Sequence, residues 1–465
     1  FLDDYRATPQ LSFAVRYKQC DCGIMVTASH NPPSDNAVKV YWSTGGQILP
    51  PHDKAIIERV MSVDEIKLVD FAQALSAGQV KIFTKEVDQA YFAEVHKFAW
   101  PGPREAKIIF SPLHGVGTFA VMPVLEQAGF EDCEVYGPHS QPSGDFPNVP
   151  GHVSNPENSA VFDAIIERAR AIGADVILAT DPDCDRLGVA APLTTDVTGP
   201  WGTINGNQIG ALLTDFACAR MKQLGQLSDK SYVIKTLVTT DLIRRVCESY
   251  GVRCEGNLHV GFKWIAGVMD AVGPDDFVFG TEESHGYLIG QYARDKDGAV
   301  ACLLMAMLVA QLKSERKTLH QRLAELQQQH GCHEEGLVNV QMEGSEGMTQ
   351  MKSLMAAFRS DPPRELAGIE VAAVRDYQTL STRMSDGSTH KLDASAADMV
   401  MLDLALAGNY FAVRPSGTEP KVKFYMFTSL PPAESVDLPA AKQKLAKRLA
   451  ELEADIRRYV AEKIG

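Results

Sequence analysis

Three aspartates follow an apolar stretch near the middle of the chain. In "ADVILATDPDCDR", Asp181, Asp183 and Asp185 alternate behind the apolar run. Alternate residues of an extended backbone share one face, so we expect the three carboxylates to converge. Like charges at short range repel, and a hard cation such as Mg²⁺ relieves that repulsion. An EF-hand is excluded because Arg186 and Pro192 would stand at its sixth and twelfth positions. The segment predicts a Mg²⁺ site open to substrate, with a solvated acidic turn as the alternative.

A serine and a histidine end an apolar run close to the N-terminus. In "GIMVTASHNPPSDNAVKVYW", a segment typical of a buried strand leads to Ser29 and His30, and Lys39 follows. No glycine lies two residues before or after Ser29, so the nucleophile elbow of α/β hydrolases is absent. By itself the segment fits a capped turn equally well. Beside a magnesium site and an anion-binding loop, however, Ser29 could carry a phosphoryl group.

A loop rich in anion-binding groups lies near the C-terminus. Between "NYFAV" and "KVKFYMF" stand Arg414, Ser416, Gly417 and Thr418. The arginine offers a planar fork, the hydroxyls are donors, and glycine lets backbone N–H groups approach an anion. This pattern predicts a phosphate-binding loop, with a simple turn and a capping threonine as the alternative.

A fourth polar segment combines carboxylates with nearby cations. "GTEESHG" contains Glu282 and Ser284, and the following "RDKDG" contains Arg294 and Lys296. Carboxylates can accept hydrogen bonds from vicinal sugar hydroxyls, and a lysine can serve a phosphate or a proton transfer. The N-terminus of a helix rich in Glu and Ser gives the same letters, so the signal is weak alone.

Bulk properties exclude several classes of protein. The 465 residues carry a net charge of −14, which argues against a nucleic-acid or anionic-membrane surface. The nine cysteines are scattered without a CxxC pair, which favours a reducing compartment and hence the cytoplasm. The apolar run "AVACLLMAMLVA" is too short to span a bilayer and predicts a buried core helix.

The order of elements predicts repeated α/β units. An apolar strand, a polar loop and an amphipathic helix recur three times, which indicates layered α/β architecture with largely parallel sheets and ligands at the carboxyl ends of strands. Breaks occur at "AWPGPREA" and "QQQHGCHEE"; after the second, strands joined by hairpin turns and a final helix indicate an α+β domain. Gly115 and Gly117 also match a dinucleotide-binding pattern, for which close helix–strand packing is the favoured alternative.

Four of these motifs, in this order, resemble the α-D-phosphohexomutases, the family of phosphoglucomutases and phosphomannomutases. "TASHNP" resembles the family's phosphoserine loop, "DPDCDR" its metal loop, "GTEESHG" its sugar-recognition loop and "RPSGTEP" its phosphate-binding loop. The resemblance covers nearly the whole chain. It implies three related α/β domains with mixed, largely parallel sheets and a C-terminal α+β domain around a central cleft, with bounds at residues 1–103, 104–205, 206–328 and 329–465.

The resemblance also implies an activity and roles for individual residues. The expected reaction interconverts hexose 1-phosphate and hexose 6-phosphate of glucose or mannose through a phosphoserine, with Mg²⁺ as cofactor and glucose 1,6-bisphosphate as activator. The expected partner is thus a small sugar phosphate, and oligomeric state is left open. By position, the metal ligands are Ser29, Asp181, Asp183 and Asp185 with Arg186 next to them; the catalytic candidates are Ser29, His30, Lys39 and Lys296; the substrate-binding candidates are Lys263, Glu282, Ser284, Arg294, Arg414, Ser416, Gly417 and Thr418.

Alternatives and departures accompany this resemblance. A phosphopentomutase, a glucose-1,6-bisphosphate synthase, a catalytically impaired sugar-phosphate binder and, more distantly, an NAD-dependent oxidoreductase remain open. The family's first domain normally begins well before the serine loop, so we expect its N-terminal part to be missing here. Asn36-Ala37 stands where the family usually has Asn-Gly, which predicts backbone strain at Ala37. Cys184 is expected to be a small buried filler of the metal loop rather than an oxidisable thiol.

Overall fold

The computed structural model describes residues 1–342, 346–416 and 421–464. The chain divides into two compact units. The first unit comprises Phe1–Thr236, Cys247–Glu255 and Val260–Arg322, and the second comprises Leu237–Val246, Gly256–His259 and Leu323–Gly465.

The N-terminal part of the first unit surrounds one pair of strands. Its elements are α1 (Thr8–Tyr17), β1 (Cys22–Val26), β2 (Val38–Trp42), α2 (His52–Met61), α3 (Phe71–Ser76) and α4 (Thr84–His96). The two strands are antiparallel. Gly23 faces α1, but Ile24 and Val26 are 62% and 68% exposed, so the prediction of a buried strand was wrong. Side chains alternate along a strand, and no other described residues cover the second face of this pair.

The next domain of the first unit has a five-stranded mixed sheet. Its elements are β3 (Ile108–Ser111), α5 (Gly117–Gln127), β4 (Cys133–Val135), α6 (Asp163–Ile172), β5 (Val176–Ala179), β6 (Gly188–Pro192) and β7 (Trp201–Ile204). The strand order is β4-β3-β5-β6-β7, parallel for the first three strands and antiparallel beyond β5. Phe162, Ile165 and Ile177 belong to a buried cluster on this sheet. Strand β5 is buried along its whole length, and the aspartate loop follows its carboxyl end.

A third sheet in the first unit repeats this arrangement. Its elements in the first unit are α7 (Gly206–Gln223), β8 (Tyr232–Lys235), β9 (Arg253–Glu255), α9 (Phe262–Val272), β10 (Phe277–Glu282), β11 (Gly286–Ile289) and α10 (Gly298–Ser314). Two further helices, α8 (Leu242–Tyr250) and α11 (Leu319–His330), are divided between the units, after Val246 and after Arg322. The strand order is β11-β10-β8-β9, parallel except for the β10–β11 hairpin. "GTEESHG" forms the turn of that hairpin. Residues Gly298–Ala310 of α10 are buried, as the apolar run predicted.

The second unit is an antiparallel sheet covered by helices. Its elements are β12 (Cys332–Gln341), α12 (Gly347–Ser360), β13 (Glu365–Leu366), β14 (Ile369–Asp376), β15 (Ser381–Met384), β16 (Thr389–Lys391), β17 (Val400–Leu404), β18 (Tyr410–Pro415), β19 (Lys421–Leu430) and α13 (Leu438–Ile464). The main order is β12-β19-β18-β17-β14-β15-β16. Phe358, Phe411, Phe424 and Tyr459 pack in its core. The predicted hairpins and final helix are present.

The fold class predicted from the sequence is confirmed. Mixed α/β sheets build the first unit, and a β-rich domain with a long terminal helix builds the second. Among the described residues, parallel pairing occurs in the β4-β3-β5 part of the second sheet and the β10-β8-β9 part of the third. In the described part of the chain no single helix is long and apolar enough to cross a bilayer, and only α10 taken together with α11 across a bend has the necessary length and composition.

Candidate active site

The three aspartates converge at the end of β5, as their spacing predicted. Asp181, Asp183 and Asp185 are 0%, 5% and 1% exposed, and one carboxylate oxygen of each lies within 4.8 Å of the others. The loop turns tightly because Cys184 adopts a left-handed backbone conformation with φ of +56°. Its side chain is fully buried, which fits the predicted filler role.

Asp181 is held by its own loop and by Ser29. Its Oδ1 accepts the backbone N–H groups of Asp185 and Arg186, both at 3.0 Å. Its Oδ2 accepts the Ser29 hydroxyl at 2.7 Å. Burial, with the neighbouring carboxylates of Asp185 and Asp183, raises the pKa of Asp181. This carboxyl therefore favours a state in which a proton or a cation reduces its charge.

In the described part of the chain, Asp183 and Asp185 each have one carboxylate oxygen that accepts hydrogen bonds and one that accepts none. The Lys39 ammonium donates to Asp183 Oδ2 at 2.7 Å and to Asp185 Oδ2 at 2.8 Å. Burial opposes the charge of both carboxylates, but Lys39 outweighs it at Asp183, and Lys296 with Lys39 outweighs it at Asp185, so both pKa values are lowered. The Oδ1 atoms of both residues are buried with no hydrogen-bond partner among the described residues.

The unpartnered oxygens test whether the cluster suits a metal ion. A buried acceptor left without a partner costs free energy, and a cation would remove that cost at both atoms. The donor set consists of carboxylate oxygens, which suit hard cations such as Mg²⁺ and not soft ones. The residues at the end of β5 therefore fit a divalent cation.

Ser29 lies in the loop after β1, with a φ of +53°. Its Oγ is 3.2 Å from His30 Nδ1 as well as 2.7 Å from Asp181 Oδ2. Burial, helped by the positive charge of Arg186, lowers the pKa of His30 to about 4, so its imidazole is neutral near pH 7. A half-buried hydroxyl between a neutral imidazole and a carboxylate has the surroundings of an activated nucleophile.

The prediction of backbone strain at Ala37 was wrong. Ala37 keeps a negative φ, and its carbonyl accepts the Thr27 N–H at 3.0 Å, which closes the loop in line with the β1–β2 pairing. The left-handed conformation falls on Ser29 instead. A residue with a side chain can therefore stand at position 37 without backbone strain.

Lys296 connects the aspartate loop to the β10–β11 hairpin. Its ammonium lies 3.4 Å from Asp185 Oδ2 and 3.2 Å from Glu282 Oε1. Burial lowers the pKa of Lys296, but Asp185 and Glu282 outweigh burial and hold it above its usual value. Ser284 is half-buried in the β10–β11 turn. His285, in the same turn, pairs its Nδ1 with the Leu187 carbonyl at 2.9 Å and so joins this turn to the residues that follow the aspartate loop.

Arg186 lies at the edge of the metal loop. Its guanidinium pairs with Glu157, and its Nε is 3.9 Å from both Asp181 Oδ2 and Asp185 Oδ1. Burial opposes the charge, but Glu157 and the two aspartates raise the pKa of Arg186. A positive charge thus stands beside the carboxylates of Asp181 and Asp185.

Two predicted substrate-binding residues make their contacts elsewhere. Arg294 Nε donates to Asp270 at 2.6 Å, and its Nη1 donates to the carbonyls of Gln291 and Ala293. Lys263, in the first turn of α9, has its ammonium 5.9 Å from the centroid of the Trp264 ring. Their contact with substrate stays a prediction.

The predicted phosphate-binding loop belongs to the second unit. Arg414 Nε donates to Tyr425 Oη at 3.4 Å, and the Ser416 N–H donates to the Lys421 carbonyl at 2.8 Å. These contacts form the base of the β18–β19 hairpin. Gly417 and Thr418 lie outside the described residues.

Two buried residues near these elements were not predicted from the sequence. Thr8, at the start of α1, donates its hydroxyl to Asp183 Oδ2 at 2.6 Å. Lys235 ends β8 opposite Thr281 and is buried next to β10. "ATPQ" before an amphipathic helix indicates the start of a helix, and the lysine at the end of the apolar "SYVI" is unusual. Neither pattern indicates which distant residue the side chain contacts.

Gly115 and Gly117 let the start of α5 pack closely on the aspartate loop. A Cβ on Gly115 would lie 2.1 Å from Pro182 Cα, and one on Gly117 would lie 2.3 Å from Thr180 Oγ1. The Val116 N–H also donates to the Pro182 carbonyl at 2.8 Å. The start of α5 thus packs directly on the aspartate loop, as the close-packing alternative predicted.

Comparison with known proteins identifies relatives of this chain. Models of the alpha/beta/alpha domains I, II and III of phosphoglucomutase/phosphomannomutase match residues 1–67, 89–193 and 205–330. Phosphoglucomutase from Staphylococcus epidermidis (strain ATCC 12228 / FDA PCI 1200) is 33% identical over 432 residues, which are 92% of this chain and 77% of the relative. Phosphoglucomutase from Staphylococcus aureus (strain MRSA252) is 33% identical over 438 residues, 93% of this chain and 77% of the relative.

Solved structures share the fold. The phosphoglucomutase pp63/parafusin from Paramecium superposes with a TM-score of 0.66 at 18% identity, covering 98% of this chain and 81% of its own. A phosphoglucomutase/phosphomannomutase family protein from Burkholderia thailandensis gives a TM-score of 0.64 at 16% identity, covering 98% and 81%.

The fold, the aspartate loop and the relatives define an enzyme class, the phosphotransferases that act as isomerases. Within that class, the chain belongs to the α-D-phosphohexomutase family of phosphoglucomutases and phosphomannomutases. Its relatives support a hexose phosphate mutase activity.

Proposed function

We propose that the chain interconverts the 1-phosphate and 6-phosphate of glucose or mannose through a phosphoserine at Ser29 and a bisphosphorylated sugar. The observation that carries this proposal is the 2.7 Å hydrogen bond from Ser29 Oγ to Asp181, in a cluster with two unpartnered carboxylate oxygens. Asp181, Asp183 and Asp185 would hold Mg²⁺ together with an oxygen of the phosphorylated serine. Mg²⁺, when bound, neutralises negative charge on the phosphoryl group.

The reaction exchanges one P–O bond for another. A free hydroxyl of the hexose phosphate attacks the phosphorus carried by Ser29, the bond to Ser29 Oγ breaks, and a hexose bisphosphate forms. After the bisphosphate has turned over, Ser29 Oγ attacks the other phosphate and the isomeric monophosphate leaves. The attacking hydroxyl loses a proton and the departing oxygen gains one in each step. Glucose 1,6-bisphosphate would act as activator by phosphorylating Ser29.

The protonation states of His30, Lys39 and Lys296 suit them to different roles in this reaction. His30 is neutral near pH 7 and its Nδ1 is 3.2 Å from Ser29 Oγ. Once the hydroxyl turns from Asp181 to His30, the imidazole would take the serine proton when Ser29 attacks and return it in the opposite direction. Lys39 and Lys296 keep their positive charge, because the aspartates raise their pKa values, and would stabilise the transferring phosphoryl oxygens. Arg186 would hold the metal loop and the phosphoserine.

Substrate recognition is assigned to the remaining motifs. Glu282, at the end of β10, and Ser284 would bind sugar hydroxyls, with Lys263 and Arg294 as further substrate contacts. The phosphate that is not transferred would bind the loop that contains Arg414, Ser416, Gly417 and Thr418. We assign these motifs to four domains with bounds at residues 1–103, 104–205, 206–328 and 329–465.

Intact mass spectrometry tests the phosphoserine. After incubation with glucose 1,6-bisphosphate and Mg²⁺, we expect one phosphoryl group on the wild-type chain and none on Ser29→Ala. Ser76→Ala, at an exposed serine of α3, should keep the adduct. A wild-type chain without an adduct would overturn the phosphoserine mechanism.

Comparing substrates tests the sugar. Glucose 1-phosphate and mannose 1-phosphate should turn over faster than ribose 1-phosphate in the presence of Mg²⁺. Faster turnover of ribose 1-phosphate would indicate a phosphopentomutase, and net release of bisphosphate would indicate a bisphosphate synthase. Binding of glucose 1-phosphate without turnover would indicate a catalytically impaired relative.

A further inference from the structure

Asp183 is bound by one residue from the start of helix α1. The Thr8 hydroxyl donates to Asp183 Oδ2 at 2.6 Å, and the Thr8 backbone N–H donates to the Asp183 carbonyl at 2.9 Å. Thr8 is fully buried. Two hydrogen bonds from the same residue thus hold both the backbone and the side chain of Asp183.

The start of α1 is itself rigidly supported. Ala7, which precedes Thr8, donates its N–H to Gln10 Oε1 at 3.0 Å. Gln10 Nε2 and Arg6 Nε both donate to Asp88 Oδ1, at 3.1 and 2.9 Å. These hydrogen bonds hold the start of α1 in place, so the Thr8 hydroxyl has a well-defined position.

These contacts decide which oxygen of Asp183 stays available. Oδ2 accepts from Thr8 and from Lys39, while Oδ1 is buried with no partner among the described residues. Lys39 also binds Asp185, so its ammonium is shared between the two carboxylates. Thr8 binds only Asp183 among the three aspartates, and a rotation of that carboxylate would break the hydrogen bond.

We propose that Thr8 is a positioning residue for the divalent cation, because it fixes the Asp183 carboxylate with Oδ1 directed to the ion. This inference rests on the magnesium site of the proposed function. Hydrogen bonds to metal-binding carboxylates typically change metal affinity by about 10- to 100-fold. The backbone bond from Thr8 to Asp183 would survive replacement of the side chain, so the hydroxyl can be tested separately.

The test measures Mn²⁺ binding to the full chain from the electron paramagnetic resonance signal of free Mn²⁺. Thr8→Val and Thr8→Ala should weaken binding by about tenfold or more, whereas Thr8→Ser should remain near wild type. Thr214→Val is the matched control, since Thr214 is buried on α7 and its hydroxyl has no partner among the described residues. Thermal unfolding should show that Thr8→Ser and at least one hydroxyl-free variant remain folded.

A second readout separates positioning from general damage. In Thr8→Val the Mg²⁺ concentration for half-maximal activity should rise by the same factor as the Mn²⁺ Kd, while the rate at saturating Mg²⁺ stays near wild type. Equal Mn²⁺ affinity in wild type and both hydroxyl-free variants, or equal losses in Thr8→Ser and Thr8→Val, would overturn the role of Thr8. A wild-type chain that binds no Mn²⁺ would instead overturn the metal site of the proposed function.

Discussion

The hydroxyl of Ser29 donates a 2.7 Å hydrogen bond to Asp181 Oδ2, although the two residues stand 152 positions apart. This bond joins the loop after β1 to the loop after β5. It can exist only while Ser29 carries a proton on Oγ, so phosphorylation of Ser29 must release Asp181 Oδ2. The same event brings three acceptor oxygens and about 1.5 to 2 negative charges to the cluster.

We therefore predict that phosphorylation of Ser29 tightens binding of a divalent cation. Both the released Asp181 oxygen and the phosphoryl oxygens add hard ligands, so the Mn²⁺ Kd should fall when the chain has been treated with glucose 1,6-bisphosphate and freed of excess sugar. Ser29→Ala, given the same treatment, should not change. Equal Mn²⁺ affinity of the phosphorylated and unphosphorylated wild type would contradict the prediction.

Asp185 should be needed for both metal binding and activity. Its Oδ2 accepts from Lys39 and lies near Lys296, and its Oδ1 has no hydrogen-bond partner among the described residues. In Asp185→Asn the charge is lost and an amide group faces two ammonium groups, so Mn²⁺ binding should weaken by more than about tenfold and mutase activity should fall further. Asp229→Asn, at an exposed position, serves as the control. Undiminished Mn²⁺ affinity in Asp185→Asn would show that the ion binds elsewhere.

Whether a contact in this site can be predicted from the sequence depends on how far apart its residues lie along the chain. The convergence of Asp181, Asp183 and Asp185 is local, because alternate positions after a strand share a face, and it was predicted from spacing alone. The pairing of Ser29 with Asp181 spans two domains, and no spacing rule reaches across 152 residues. That pairing was expected only through the resemblance of four motifs to a family.

The failures have equally specific causes. An apolar run such as "GIMV" does not tell how many strands surround it, and in the described chain β1 pairs with β2 alone. At Ala37 a family preference for glycine did not reflect a left-handed backbone, which occurs at Ser29. Thr8 and Glu157 contact the metal loop through tertiary packing, and their types and neighbours in sequence carry no sign of that partner.

The Lys296 bridge should contribute to stability as well as to activity. Lys296 is buried between Asp185 and Glu282, so Lys296→Met leaves two buried carboxylates with less compensation. Removing one member of a buried ion pair typically costs about 3–5 kcal/mol, and we expect a loss of that order in the free energy of unfolding by urea. The double variant Lys296→Met/Glu282→Gln should recover part of the loss, because one unpaired charge is gone.

The control for this bridge is an ion pair at the surface. Lys97 pairs with Glu94 and its side chain is 64% exposed, so Lys97→Met should change the free energy of unfolding by no more than about 1 kcal/mol. If Lys296→Met were as mild as Lys97→Met, the buried bridge would have no structural role. If the double variant were less stable than Lys296→Met, the uncompensated charge of Glu282 would not be a source of the loss.

Gly115 should be required for the shape of the metal loop. A Cβ at this position would lie 2.1 Å from Pro182 Cα and 2.4 Å from its carbonyl oxygen, and both are backbone atoms that cannot move aside. Gly115→Ala should therefore displace the backbone between Asp181 and Asp183, lower the free energy of unfolding by at least about 1–3 kcal/mol, and weaken Mn²⁺ binding. Gly144→Ala is the matched control, because a Cβ there would meet nothing within 4 Å, and it should stay within about 0.5 kcal/mol of wild type. Unchanged stability and Mn²⁺ affinity in Gly115→Ala would mean that α5 does not hold the loop, whereas lower stability with unchanged affinity would limit its role to packing.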